Sequence, residues 1–203
     1  MRWNWQQPGW RKFEWNPNRV RPAEDQFLVH SGKLAGVIGH LAAPDREQLA
    51  LDTLTLEALT TSEIEGEFLD RASVRSSLKQ QLGLATENRR VKPAEKGVAG
   101  LMVEVYRTFA SELTGQALLE WHATLMQGRA GSIAIGQYRT SQEPMQVASG
   151  PIHARKVHLE APPASRVPME MEHFVKWFNR TAPTGRTPLP ALTRSGIAHI
   201  YFE

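Results

Sequence analysis

PDREQLALDTLTLEALTTSEIEG, residues 44–66, spells one helix from cap to stop. Pro44-Asp45 makes a turn and a cap. Leu49, Leu51, Leu54, Leu56, Ala58, Leu59 and Ile64 then supply the apolar positions. Gly66 ends the helix, because glycine takes the left-handed conformation of a helix terminus without steric cost. Glu63, Glu65 and Glu67 crowd that end, where the helix dipole disfavours anions. Two readings stay open here. One is a solvated acidic end, cheap because charges repel little in water; the other is a Glu65 carboxylate directed inward to a cation held elsewhere.

Helical patterning extends both ways from this stretch. Upstream, Pro22 suits the first turn of a helix, and Phe27, Leu28, Leu34, Ala35, Ile38 and Leu41 recur at helical spacing to about Ala42. Met1–Arg21 holds Trp3, Trp5, Trp10 and Trp15, broken by Pro8, Gly9 and Pro17. It reads as an irregular arm that packs its indoles onto the following helices, with an aromatic ligand box or base-stacking platform as the alternative. Downstream, Asp70 caps a helix carrying Ala72, Val74, Leu78 and Leu82, with Gly83 as its stop. Leu84–Lys92 is polar and basic, a linker. Pro93 opens a helix to Leu113, and Gly115 separates it from another over Ala117–Gln127.

From Ala130 to Pro163 the chain is rich in Gly, Pro and Ser, with two β-like runs, Pro144–Ala148 and Arg155–Leu159. The second alternates, Val157 and Leu159 against Lys156, His158 and Glu160. This predicts an exposed hairpin between helices, which resume over Val167–Asn179 and from about Leu189. The expected fold class is mainly α.

At 203 residues the chain is long enough to bury a core. Its 41% hydrophobic and 22% charged content are those of a soluble globular protein. A net charge of +3 without any basic run does not argue for nucleic-acid binding. The absence of cysteine excludes disulfides, zinc–thiolate sites and a Cys nucleophile. Met1–Pro22 has no apolar core of a signal peptide. Leu34–Ala43, broken by Gly36, Gly39 and His40, falls far short of the roughly 20 apolar residues that span a bilayer. A soluble, cytoplasmic protein is expected. No glycine loop of phosphate-binding spacing occurs. His30, His40, His122 and His173 read as packing or surface residues of helices, whereas His153 and His158 on the hairpin are better placed for contact.

Thr61-x-x-x-Glu65-Gly66 resembles the inhibitory motif Ser/Thr-x-x-x-Glu-Gly/Asn of the Fic family of AMP transferases. Its position is that of the class whose inhibitor lies in the same chain, upstream of the core. Trp5-Gln6-Gln7-Pro8-Gly9-Trp10 through Phe13-x-Trp15 looks like the domain preceding many bacterial Fic cores. Gly136-Gln137-Tyr138-Arg139, then Val147-Ala148-Ser149-Gly150 and Lys156-Val157-His158, resemble the approach to the Fic flap and its hairpin. Ala161-Pro162-Pro163, Val167-Pro168-Met169 and Trp177-Phe178-Asn179 are similar to the segment leading out of it. Ala198-His199-x-x-Phe202-Glu203 resembles the helix before the catalytic loop.

The resemblance implies AMP transfer from ATP, with magnesium, to a hydroxyl of a target protein. The family's base is a His in a His-Pro-Phe-x-Asp/Glu-Gly-Asn-Gly-Arg loop, whose amides cradle the phosphates at a helix N-terminus. That loop does not occur in these residues, which end at Glu203, a few positions short of it by the resemblance. His199 only superficially fits its start, lacking the following Pro, so no catalytic or metal-binding residue is assigned. Thr61, Glu65 and Gly66 are the implied regulatory residues, and Glu65 is also the one residue assigned to the cofactor site. Glu65 would pair with the loop's last Arg and occupy the space of the γ-phosphate; here it is expected to be solvated, or neutralised by a base such as Arg139.

Val147, Ala148, Ser149, Lys156, Val157 and His158 would hold the target segment by strand addition. The implied division is a helical domain over residues 1–90 and a partial Fic core over 91–203. The expectation is an autoinhibited AMP transferase, inactive as this chain alone. The alternative is a non-catalytic module docking a partner protein or a complementary Fic fragment. Expected partners are a target protein on the hairpin and, as an option, a second copy of the chain, with no membrane. Leu192, Ile197 and Ile200 are expected to form an exposed apolar side on the last helix.

Overall fold

Asn16 opens the first long helix. Its side-chain oxygen accepts from the Asn18 amide at 3.0 Å, and Pro17 takes the first helical position, where its missing N–H costs nothing. In the computed structural model, which describes residues 2–85, 90–127 and 134–202, helix α1 therefore runs Pro17–Gly39. It starts before the Pro22 expected from sequence, and Pro22 lies inside it. The pair Asn16-Pro17, a cap followed by a first-turn proline, was the signal for the true start.

Helices α2 (Ala43–Ile64), α3 (Arg71–Gln81), α4 (Pro93–Thr108) and α5 (Gly115–Leu125) follow. The Asp70 carboxylate caps α3 by accepting from the Ser73 amide at 2.8 Å. Thr114 caps α5 by accepting from Ala117 at 3.0 Å, which places that helix's start ahead of the expected Ala117. Helix α4 stops short of the expected Leu113; the Thr108 hydroxyl there turns back onto the Glu104 carbonyl, and Ser111 N–H closes a turn onto Thr108. Strands β1 (Gln146–Ser149) and β2 (Lys156–Glu160) form an antiparallel pair, and α6 (Val167–Arg180) and α7 (Ala191–Phe202) complete a mainly α fold with one hairpin. Residues 86–89 of the expected linker and 130–133 of the Gly-, Pro- and Ser-rich segment lie outside the described residues.

The chain forms two compact units. One comprises Lys33–Gln137; in it α3 packs on both α2 and α4, and α5 packs on α4. Its core is aliphatic: Leu51, Ala58, Val74, Leu78, Val98, Ala99 and Val103. A Cβ at Gly97 would stand 2.7 Å from the Leu125 carbonyl oxygen, so only glycine lets α4 lie this close to α5. The expected division between residues 90 and 91 falls inside this unit, not at its edge.

The other unit joins Met1–Gly32 to Tyr138–Glu203, and its core is aromatic. Phe174, Trp177 and Tyr201 are buried, and Trp10 and Phe13 meet Tyr201 with ring centroids 5.6 and 5.1 Å apart. The tryptophan arm thus packs Trp5 and Trp10 within this unit, whereas Trp15 is exposed. Of the three apolar residues expected to be exposed on the last helix, Ile197 is buried while Ile200 is exposed, because α7 turns Ile197 and Tyr201, one turn apart, to the same interior. Glu24 of α1 is buried, and its carboxylate accepts from the amides of Leu192 and Thr193 at 3.1 and 2.7 Å. A tertiary contact thereby fills the cap of α7. No described helix is long and apolar enough to cross a membrane.

Candidate functional site

Thr61 and Glu65 stand one turn apart at the end of α2, in the unit Lys33–Gln137. The Glu65 amide donates to the Thr61 carbonyl at 3.3 Å, and Gly66 follows with φ +79°. Gly66 N–H then reaches the Glu63 carbonyl at 3.0 Å and Glu67 N–H the Ser62 carbonyl at 2.8 Å. This is a Schellman stop. The same stop recurs after α3, where Gly83 has φ +77° and Leu84 N–H reaches the Lys79 carbonyl at 2.9 Å. The glycine of the motif thus has a local structural cause. The glutamate has none: Glu65 is exposed and makes no ion pair among the described residues. The Thr61 hydroxyl lies 3.5 Å from a Glu57 carboxylate oxygen. Arg139, the base suggested to neutralise Glu65, gives its guanidinium to the Pro162 carbonyl.

The residues assigned to the flap belong to the other unit. Val147 faces Leu159, but its neighbour Ala148 faces Val157 and Ser149 faces Lys156. His158 is therefore an extra residue, a β-bulge in β2. Its ring nitrogen lies 2.6 Å from the Ser149 hydroxyl. Val157 and Leu159 are half-buried and Lys156 and His158 exposed, as the alternation predicts, but Glu160, expected on the exposed side, is half-buried too. Gly150 opens the connection with φ +89°, and a Cβ there would stand 2.8 Å from the Ala154 carbonyl. The strands pair only with each other among the described residues, so each keeps an unpaired edge; the bulge and Lys156 blunt it against unspecific pairing.

Sequence reasoning missed a third cluster. Glu170 on α6 accepts from Arg166 at 2.8 Å and from the Trp10 indole at 3.3 Å, with the Arg11 guanidinium 3.7 Å away. Arg11 also meets the His173 ring and holds φ 75°, a backbone state that costs a non-glycine residue about 1–2 kcal/mol. Arg166 lies over the Trp5 ring at 5.1 Å. The spacing Arg166, Glu170, His173 on one helical face was the readable signal. His199 lies within α7. Among the described residues no group of three or more His, Asp or Glu is arranged for a metal ion.

Residues 3–84 match a family described as a domain of unknown function, DUF4172. The match covers the tryptophan arm and helices α1 to α3 and ends at Leu84, the residue that completes the stop of α3. No curated protein matches the chain.

Proposed function

We propose that this chain is the regulatory and target-docking part of a Fic-type AMP transferase, with Glu65 as its inhibitory residue, and that it transfers no AMP by itself. The observation that supports this reading is the Glu65 carboxylate. It is held at the dipole-disfavoured end of α2, exposed and unpaired among the described residues, in a motif whose glycine alone is explained by the fold. A residue that local physics disfavours is more readily understood through something outside the helix that it serves. Its partner in this reading is the arginine of a catalytic loop that the 203 residues do not contain.

ATP and magnesium, which the family reading implies, find no complete site among the described residues. The chain's own residues offer no glycine-rich phosphate cradle and, among the described residues, no acid cluster for a metal. No chemical step is assigned to them. A non-catalytic docking module is the second reading, favoured by the unpaired hairpin edges.

Labelled ATP tests the inactivity that both readings share, and the product as encoded separates them. Neither the chain nor its Glu65→Gly variant should label any protein, and incorporation by either overturns the inactive reading. The coding sequence after codon 203 should spell the His-Pro-Phe loop. In the product as encoded, Glu65→Gly should then raise incorporation. A stop codon without that loop removes AMP transfer and leaves the docking module; an unchanged rate removes Glu65 as inhibitor.

A further inference from the structure

Between the tryptophan arm, the base of the hairpin and helices α6 and α7, all in one compact unit, lies a cavity of about 210 Å³. Trp5, Trp10, Phe174 and Tyr201 form aromatic walls, and Met145 and Leu159 close it from the hairpin side. Size excludes much. Pockets for cofactors and drug-sized ligands run from about 300 to 1,000 Å³, whereas an apolar cavity of about 150 Å³ already admits a benzene ring. The space fits one large side chain and no nucleotide.

Polarity narrows the choice further, because most polar groups at the wall are engaged by the protein itself, Asn4 Oδ1 by the Trp5 amide at 2.8 Å among them. The Trp5 indole donates to the Glu160 carbonyl at 2.7 Å, the Trp10 indole and Arg166 occupy Glu170, and Arg139 is held by the Pro162 carbonyl. The buried side-chain atoms left without a partner among the described residues are Glu95 Oε2 and Arg194 Nε, and neither lines the cavity. A polar occupant would lose its hydration for few free partners. An apolar one loses nothing.

Position gives the occupant its form. Glu160, which holds Trp5, is the last residue of β2, and Leu159 faces Val147 across the pair. A peptide added to a strand edge sends alternate side chains to one face, and pockets beneath that face select among them. We infer that this cavity is a side-chain pocket for an extended peptide laid along the hairpin, selecting one leucine-, methionine- or phenylalanine-sized residue. The inference rests on the reading of the hairpin as a docking edge and supplies its selectivity.

The test follows the indole N–H resonances of the isotope-labelled chain during titration with a blocked Thr-Ser-Leu-Ser-Thr peptide and its glutamine-centred counterpart. Trp5 and Trp10 should shift and saturate with the leucine peptide while Trp121, in the other unit, stays in place. The glutamine peptide should bind at least about tenfold more weakly, since one or two apolar groups are worth that much in a fitted pocket. Met145→Trp, at a position 61% exposed, should obstruct the mouth without disturbing the core and lower affinity at least about tenfold. Leu159→Ala should enlarge the pocket and shift preference to a tryptophan-centred peptide. Absence of a saturable shift, equal affinity for the two peptides, or unchanged binding by Met145→Trp overturns the pocket. The labelled-ATP assay on the product as encoded decides AMP transfer separately: leucine-selective binding by the chain, without transfer by that product, keeps the pocket and removes the activity.

Discussion

Glu65 and Gly66 adjoin at the end of α2 and obey opposite physics. Removing the charge at residue 65 relieves repulsion from the helix dipole, so Glu65→Gln should raise stability by about 0.3–1 kcal/mol at low salt. A urea midpoint that falls would show the carboxylate to be part of the fold. Gly66→Ala should cost about 1–2 kcal/mol, the strain of an L-residue in the left-handed region, read as a lower midpoint with unchanged slope. Glu24 behaves differently again. Burial alone would push its pKa up, but the Thr193 and Leu192 amides and the Thr193 hydroxyl outweigh burial and hold it below its ordinary value of 4.5. A depressed carboxylate contributes stability that is complete above the unfolded value and is lost as pH falls through the lower folded one. Glu24→Gln should therefore destabilise the chain at neutral pH by about 1–2 kcal/mol. The difference from the parent should shrink on acidification below 4.5. A constant difference down to strong acid would reject the cap.

At the scale of elements, close approach and irregular pairing carry the meaning. Helices α4 and α5 meet where Gly97 faces the Leu125 and Thr124 carbonyls at 2.7 and 2.9 Å from a built Cβ. Backbone cannot yield as a side chain tip can, so Gly97→Val should lose about 1–3 kcal/mol by overpacking. Circular dichroism melting checks it, and an unchanged melting temperature would mean that the helices separate freely. In the hairpin, the bulge at His158 changes the register between Val147 and Ala148. Val157 and Leu159 are both half-buried, although Val147 opposite Leu159 is exposed; the extra residue is His158, whose ring the Ser149 hydroxyl meets.

For the whole molecule, two compact units have two kinds of core, and one unfolding free energy need not describe both. Leu78 is fully buried in the aliphatic unit. Leu78→Ala should cost about 2–5 kcal/mol, and the Trp121 indole resonance should report the transition at lower urea. If Trp121 kept its midpoint, the aliphatic cluster would not be the core of that unit.

Much of this was written locally in the chain. Gly66 and Gly83 as stops, Asp70 as a cap, and the alternation of Val157 and Leu159 follow from groups within a turn or a strand pair of one another, so neighbouring letters determine them. The start of α1 was equally local, in Asn16-Pro17, although Pro22 offered a competing first-turn position. The candidate regulatory turn was legible as a helix end and residues 146–160 as a hairpin. The bulge at His158 was not, because it is a relation between two strands. The burial of Ile197, the cap that Glu24 gives to a helix 168 residues away, and the gathering of Trp5, Trp10, Leu159 and Tyr201 around one cavity belong to tertiary structure alone. Hydrogen-bonding groups near in sequence satisfy each other by backbone geometry. Which distant side chains share an interior is decided only when the whole unit excludes water.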